Sequence, residues 1–225
     1  MFGWVTRRLG IGAGKGQGKA AGGVDVRACA RVLIAGPTGV GKSTLINAVV
    51  GAPVARMGAG APITQDATWH RHRKAPVAFC DTRGLELADG EQQVAALRAV
   101  IGGAANPQRP HAAWLCVSEQ AHRLFLDGRG SEGGVLRLLA AADIPAILVV
   151  TKAEPAGAGP STLGLDRDAE VLRRLTVAHV CVEPLLTSDG RVAIPAHGLP
   201  ALKRATVALL PDTLRPALLK RWVQG

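Results

Sequence analysis

Short apolar runs alternate with amphipathic stretches along most of this chain. Residues 31–35 form a brief apolar run with β-branched side chains, which predicts a buried strand. Residues 43–50 come next, and their Leu45, Ile46 and Val49 share one helical face. The couplet then recurs. Residues 75–81 predict a strand ending in Asp81, and 91–101 a helix that turns Val94, Leu97, Val100 and Ile101 inward. Residues 111–117 and 134–142 predict the next strand and helix, 144–150 and 166–175 another pair, and 178–182 and 199–210 the last. Pro211 and Pro216 are expected to break any helix beyond Leu210. Regular alternation of this kind predicts an α/β fold of three layers, a mostly parallel sheet with helices on both faces. In such a sheet, ligands sit at the carboxyl ends of the strands.

The turn between the first strand and helix carries the strongest chemical signal. Gly36-Pro37-Thr38-Gly39-Val40-Gly41-Lys42-Ser43-Thr44 fits G-x-x-x-x-G-K-[ST] in full, which makes the fold a P-loop NTPase fold. Glycines let backbone N–H groups converge on phosphates, and the helix N-terminus adds partial positive charge. Lys42 is expected to reach the β- and γ-phosphates, and the Ser43 hydroxyl to ligate Mg²⁺. Gly14-Lys15-Gly16 imitates this loop, but no strand precedes it.

Two further segments fit a nucleotide switch. A Gly-, Ala- and Pro-rich stretch over 51–62 leads to Thr64, placed where a γ-phosphate and Mg²⁺ sensor is expected, with Thr68 as the alternative. Asp81-Thr82-Arg83-Gly84 ends the second strand as D-x-x-G. Asp81 is expected to hold Mg²⁺ through water, and the Gly84 N–H to bond the γ-phosphate.

Taken in order, these motifs, Thr151-Lys152-Ala153-Glu154 and Thr187-Ser188 resemble the motif series of the GTPase superfamily, and within it the Era-like G proteins. Ala61-Pro62-Ile63-Thr64-Gln65, the D-x-x-G segment continuing into Leu85-Glu86, and His111-Ala112-Ala113-Trp114-Leu115-Cys116 are similar to a bacterial and fungal group. Its fourth strand reads His-x-x-Trp-Tyr-Cys. The resemblance implies a GTP- and GDP-binding switch with slow, Mg²⁺-dependent hydrolysis, in which Lys42, Thr64 and Gly84 act on the γ-phosphate. It further implies that Thr151 and Lys152 frame the purine and that the Glu154 carboxylate accepts from guanine N1–H and its 2-amino group. Thr187 and Ser188 would touch the guanine O6 through backbone N–H. Glu154 departs from the usual Asp by one methylene, so a weaker guanine preference is expected. Leu85 stands where Ras-like enzymes place a water-orienting Gln, so intrinsic turnover is expected to be slow.

Composition adds boundaries. At 225 residues the chain is sized for one domain: a basic, Gly-rich flexible leader over 1–30, a G domain over 31–210 and a basic tail over 211–225. Of the +10 net charge, most lies at the ends: six basic residues and one acid within 1–31, five basic and one acid within 203–225. Such ends suit an anionic membrane surface or RNA, although a compositional preference for arginine gives the same count. Scarce aromatics, with no Tyr, argue against a base-stacking platform. No apolar run approaches the ~18 residues that span a bilayer. No secretory signal is read at the start, so the expected location is cytoplasmic, with peripheral membrane contact through the basic ends. Cys29, Cys80, Cys116 and Cys181 are scattered and read as buried free thiols. The Trp-His-Arg-His-Arg-Lys run at 69–74 reads as exposed, and His70, His72 and Cys80 match no metal spacing. Three alternatives to a slow GTPase stay open: a non-hydrolysing nucleotide-binding module, a P-loop ATPase or kinase with relaxed base choice, and a docking protein working through its basic ends. An activating partner or a homodimer contact would supply the charge stabilisation the chain itself lacks.

Overall fold

The structure, a computed structural model, describes residues 4–8, 29–53, 68–72, 75–81, 90–103, 106–119, 131–154 and 175–224. Its strands and helices in chain order are β1 (Trp4–Arg8), β2 (Ala30–Ala35), α1 (Lys42–Val50), β3 (Thr68–His72), β4 (Val77–Asp81), α2 (Gly90–Ile101) and β5 (Ala112–Ser118). Next come α3 (Ser131–Ala141), β6 (Ala146–Thr151), β7 (Thr176–Val180), β8 (Leu185–Leu186), β9 (Val192–Ile194), α4 (Leu199–Leu209) and α5 (Arg215–Leu218), closed by a π-helical turn, Leu219–Val223. Among the described residues the main sheet has seven strands in the order β1-β3-β4-β2-β5-β6-β7, with β8 and β9 forming a separate hairpin. Strands β4, β2, β5, β6 and β7 run parallel, and β3 and β1 extend the sheet antiparallel.

The apolar runs arise from burial on both faces of the sheet. Successive side chains alternate between two cores. Val32, Ile34, Ala112, Trp114, Ile147 and Val149 meet Leu45, Ile46 and Val49 of α1 and Leu202 of α4 on one side. Leu33, Ala35, Ala113, Leu115, Leu148 and Val150 meet Leu97 of α2 and Leu139 of α3 on the other. The expected α/β three-layer fold is therefore present. Strand β2 has β4 on one side and β5 on the other, so the chain changes winding direction beside β2, the point at whose carboxyl end open sheets of this kind form a binding crevice.

Three expectations are corrected. The run at 69–74 is not simply exposed: Trp69 and His70 are buried in β3, and Trp69 packs into the second core. The first 30 residues are not all leader. β1 pairs with β3 in register from Trp4↔His72 to Arg8↔Thr68, which satisfies the edge that β3 would otherwise present. Residues 9–28 lie outside the described residues, as does most of the helix expected at 166–175. Nor do Pro211 and Pro216 end helical structure, which resumes over Arg215–Leu218 and Leu219–Val223. Pro216 falls in the first turn of α5, where a missing N–H costs nothing. Leu218 and Trp222, one helical turn apart, are buried, and the Trp222 indole donates to Val49 O at 3.0 Å.

Trp222 completes an aromatic cluster. Phe79 lies 5.2 Å from Trp114 and 6.3 Å from Trp222 between ring centroids. The Trp114 indole donates to Thr206 Oγ1 at 2.9 Å, and that hydroxyl in turn donates to Leu202 O at 2.7 Å. Removing Trp222 opens a cavity against α1. Trp222→Ala is expected to destabilise the protein by ~3–5 kcal/mol, measured as the shift of the urea unfolding midpoint at unchanged slope.

Candidate functional site

β2 delivers the chain to Gly36 at the crevice. Gly36 has φ +140, and a Cβ there would lie 2.1 Å from Cys116 O, so only glycine lets the loop start this close to β5. The loop closes at Gly41, the N-cap of α1, whose φ of +92 also suits glycine and which offers no side chain to cap the helix. A helix start of this kind favours an anion. Lys42 is 8% exposed, and its ammonium donates to Gly36 O at 2.6 Å and Pro37 O at 2.8 Å. The cation is thus folded over its own loop, held by carbonyls that phosphate oxygens can replace. Thr38 and Gly39 at the tip are exposed, Val40 is buried, and Ser43 and Thr44 are half-buried on the first turn.

Asp81 ends β4 at 1% exposure, and its register partner is Ile34, just ahead of the loop. Lys42 and Asp81 act on the same neighbour. Burial pushes the Cys116 thiol up to about 12, with Lys42 pulling it down and Asp81 pushing it further up. Burial, then Asp81, also raises the Cys80 thiol. The four cysteines are buried thiols outside any disulfide, as expected from the sequence. The Ser43 hydroxyl and Asp81 carboxylate are hard oxygen donors of the type Mg²⁺ takes, on α1 and β4, which pack against each other. Thr64 and Gly84, with Thr82, Arg83 and Leu85, lie outside the described residues.

The other end of the site is built by β6. Thr151 is buried at its tip, and its hydroxyl donates to Val40 O at 2.6 Å, with Val117 O at 3.0 Å. Lys152 takes the left-handed conformation, φ +54, and is half-buried. Ala153 is buried; its N–H donates to Val180 O at 3.3 Å and its carbonyl meets His197 Nε2 at 2.8 Å. Glu154 is exposed, and its N–H donates to Glu119 Oε2 at 3.0 Å.

The structure therefore joins residues 36–44 and 151–154 directly and brings Asp81 to the same crevice. Thr187 and Ser188 are placed differently. They occupy the exposed turn between β8 and β9, where the Thr187 hydroxyl bonds the Asp189 carboxylate and accepts from the Arg191 N–H at 3.2 Å. The bonds that reach Ala153 from this part of the chain come from Val180 and His197 instead. The sequence contains no local signal for His197, because its partner lies 44 residues away.

A family model described as 50S ribosome-binding GTPase matches residues 31–152, more than half of the chain. Solved structures share the fold. Era from Aquifex aeolicus bound to GDP and aluminium fluoride is 18% identical with a TM-score of 0.53, over 82% of this chain and 58% of that one. Toc33 from Arabidopsis thaliana with Mg²⁺ and GMPPNP is 17% identical, TM-score 0.54, over 81% and 84% of the two chains. A probable GTP-binding protein, engB, is 17% identical, TM-score 0.55, over 80% and 98%. This chain thus spans 58% of the length of that Era, and at such identities the likeness is one of fold. No curated protein matches the sequence significantly. With its phosphate loop closed by Lys42 and tied to the end of β6, the chain belongs to the family of P-loop GTPases described as 50S ribosome-binding GTPases.

Proposed function

We propose that this G domain binds GTP and GDP with Mg²⁺ and hydrolyses GTP slowly, working as a conformational switch. One observation carries the reading: the Thr151 hydroxyl on Val40 O, which fixes the 151–154 loop against a phosphate loop already closed by Lys42. In this reading the N–H groups of residues 38–44 and the Lys42 ammonium bind the phosphates. Ser43, Asp81 and Thr64 would hold Mg²⁺, which would supply charge neutralisation for the phosphates. Lys152 lies along the purine, and Glu154, exposed at the rim, accepts from guanine. Thr64 and Gly84 would sense the γ-phosphate.

Slow turnover is a consequence of the side chains present. Leu85 has no group to orient water, and Lys42 and the loop N–H groups stabilise only part of the developing charge. A protein partner or a second copy would supply the rest. Toc33 and Toc159 offer a parallel on the same fold, since dimerization is important for their GTPase activity. Among the described residues no helix is long and apolar enough to cross a membrane. The proposed location is the cytoplasm. Arg204, Lys220 and Arg221 are exposed near the packed C-terminal segment and offer a basic face for an anionic surface, lipid or RNA.

Titration with GTP, GDP and ATP, with and without Mg²⁺, tests the reading; tighter ATP than GTP binding overturns it. Lys42→Ala is expected to weaken GDP binding by roughly 100-fold or more with an unchanged circular dichroism spectrum, because charge-assisted bonds are lost. Glu154→Asp is expected to widen the ratio of GTP to ATP affinity, read in the same titration, by restoring the shorter reach. Phosphate release by the pure protein should be slow at low concentration and rise only if copies associate. Fast release at every concentration would point to a water-orienting group within the chain.

A further inference from the structure

The loop bearing Lys152 and Glu154 leaves β6 through a backbone state that few side chains favour, with Lys152 at φ +54. Such a conformation persists only when its surroundings fix it. Thr151 anchors the start of the loop on Val40 O. Its centre is Ala153, fully buried, whose carbonyl meets His197 Nε2 at 2.8 Å. A carbonyl can only accept, so the imidazole carries a proton on Nε2, which both the Nε2–H tautomer and the imidazolium provide.

His197 is itself held from two sides. Its backbone pairs with Cys181 in both directions, N–H to O at 2.8 Å and the reverse at 3.1 Å. The next residue, Gly198, has φ +85, and a Cβ there would lie 2.1 Å from His179 O. The chain passes this close to the end of β7 only with glycine at 198. The two constraints return the backbone to the sheet after the β8–β9 hairpin and deliver the imidazole onto Ala153 O.

We propose that His197 is a positioning residue for the base-reading loop: its Nε2–H, by holding Ala153 O, fixes Lys152 and Glu154 in register with a guanine base. The inference rests on the reading of 152–154 as the guanine contact. Hydrogen-bonding sites discriminate between bases only when their groups are held in place. Glu154 has one more rotatable bond than the Asp it replaces, so its placement depends more on a fixed backbone. His197 reads no base itself and acts through the loop.

The test measures GDP and ADP affinities of the full chain for the native protein, His197→Leu, His197→Gln and His197→Ala. Leu keeps bulk without a donor, whereas Gln carries an amide N–H at about the reach of Nε2. Leu and Ala should lose about tenfold in GDP affinity, the ratio that one buried acceptor left without its donor produces. ADP affinity, to which the Glu154 carboxylate adds nothing, should fall much less, and Gln should recover most of the GDP loss. An unchanged GDP-to-ADP ratio in Leu and Ala overturns the proposal. Equal loss of GDP and ADP without recovery in Gln also overturns it, because the role would then be structural. Should Leu and Ala not fold, a Gln variant whose GDP preference collapses overturns it and one that keeps it sustains it. Native protein that binds GDP and ADP alike refutes the base-site reading itself, before any variant is compared.

Discussion

The site depends on one hydroxyl. Thr151 Oγ1 donates to Val40 O at 2.6 Å across 111 residues of chain, in a position shielded from water. In such surroundings a hydrogen bond is strengthened, and an acceptor left without its donor is costly. The consequence is mechanical. The loop that would hold phosphates and the loop that would hold a base cannot shift independently, because Val40 belongs to the first and Thr151 begins the second. The parallel sheet makes this possible by bringing the carboxyl ends of β2, β5 and β6 side by side, with Ser118 opposite Thr151. Gly36 against Cys116 O closes the remaining gap.

The same physics decides which features are legible in the sequence. Strands buried on both faces must be apolar runs, so β2, β4, β5 and β6 are visible in the order of residues. A phosphate loop is visible because its backbone geometry demands glycines at fixed spacing, and Gly36 and Gly41 do have positive φ. β3 is hidden because its side chains look polar, although the sheet buries Trp69 and His70. The C-terminal segment is hidden by its charge. Lys203, Lys220 and Arg221 surround a Leu218–Trp222 pair whose spacing is helical, and Lys203 lies 5.8 Å over the Trp222 ring. Thr187 and Ser188 come after β7 in sequence, but the β8–β9 hairpin carries them to an exposed turn. A contact such as His197 on Ala153 O leaves no periodic trace at all.

Charge placement suits a loop that waits for an anion. Lys42 and Asp81, both buried and of opposite sign, flank the base of the loop, and the Cys116 thiol between strand and loop responds to each. Burying an ammonium is costly unless it is bonded, and here two backbone carbonyls of the loop serve. Phosphate oxygens are stronger partners for that ammonium than neutral carbonyls. Phosphate binding there would exchange one set of acceptors for a better one.

The most direct measurement is a crystal structure of the chain with GDP and Mg²⁺. The diphosphate is expected on residues 38–44, with Lys42 Nζ moved from Gly36 O and Pro37 O onto a phosphate oxygen and the purine against Lys152, Thr151 still on Val40 O. A nucleotide bound elsewhere, or Lys42 still on its own carbonyls with the phosphates in place, would contradict this placement.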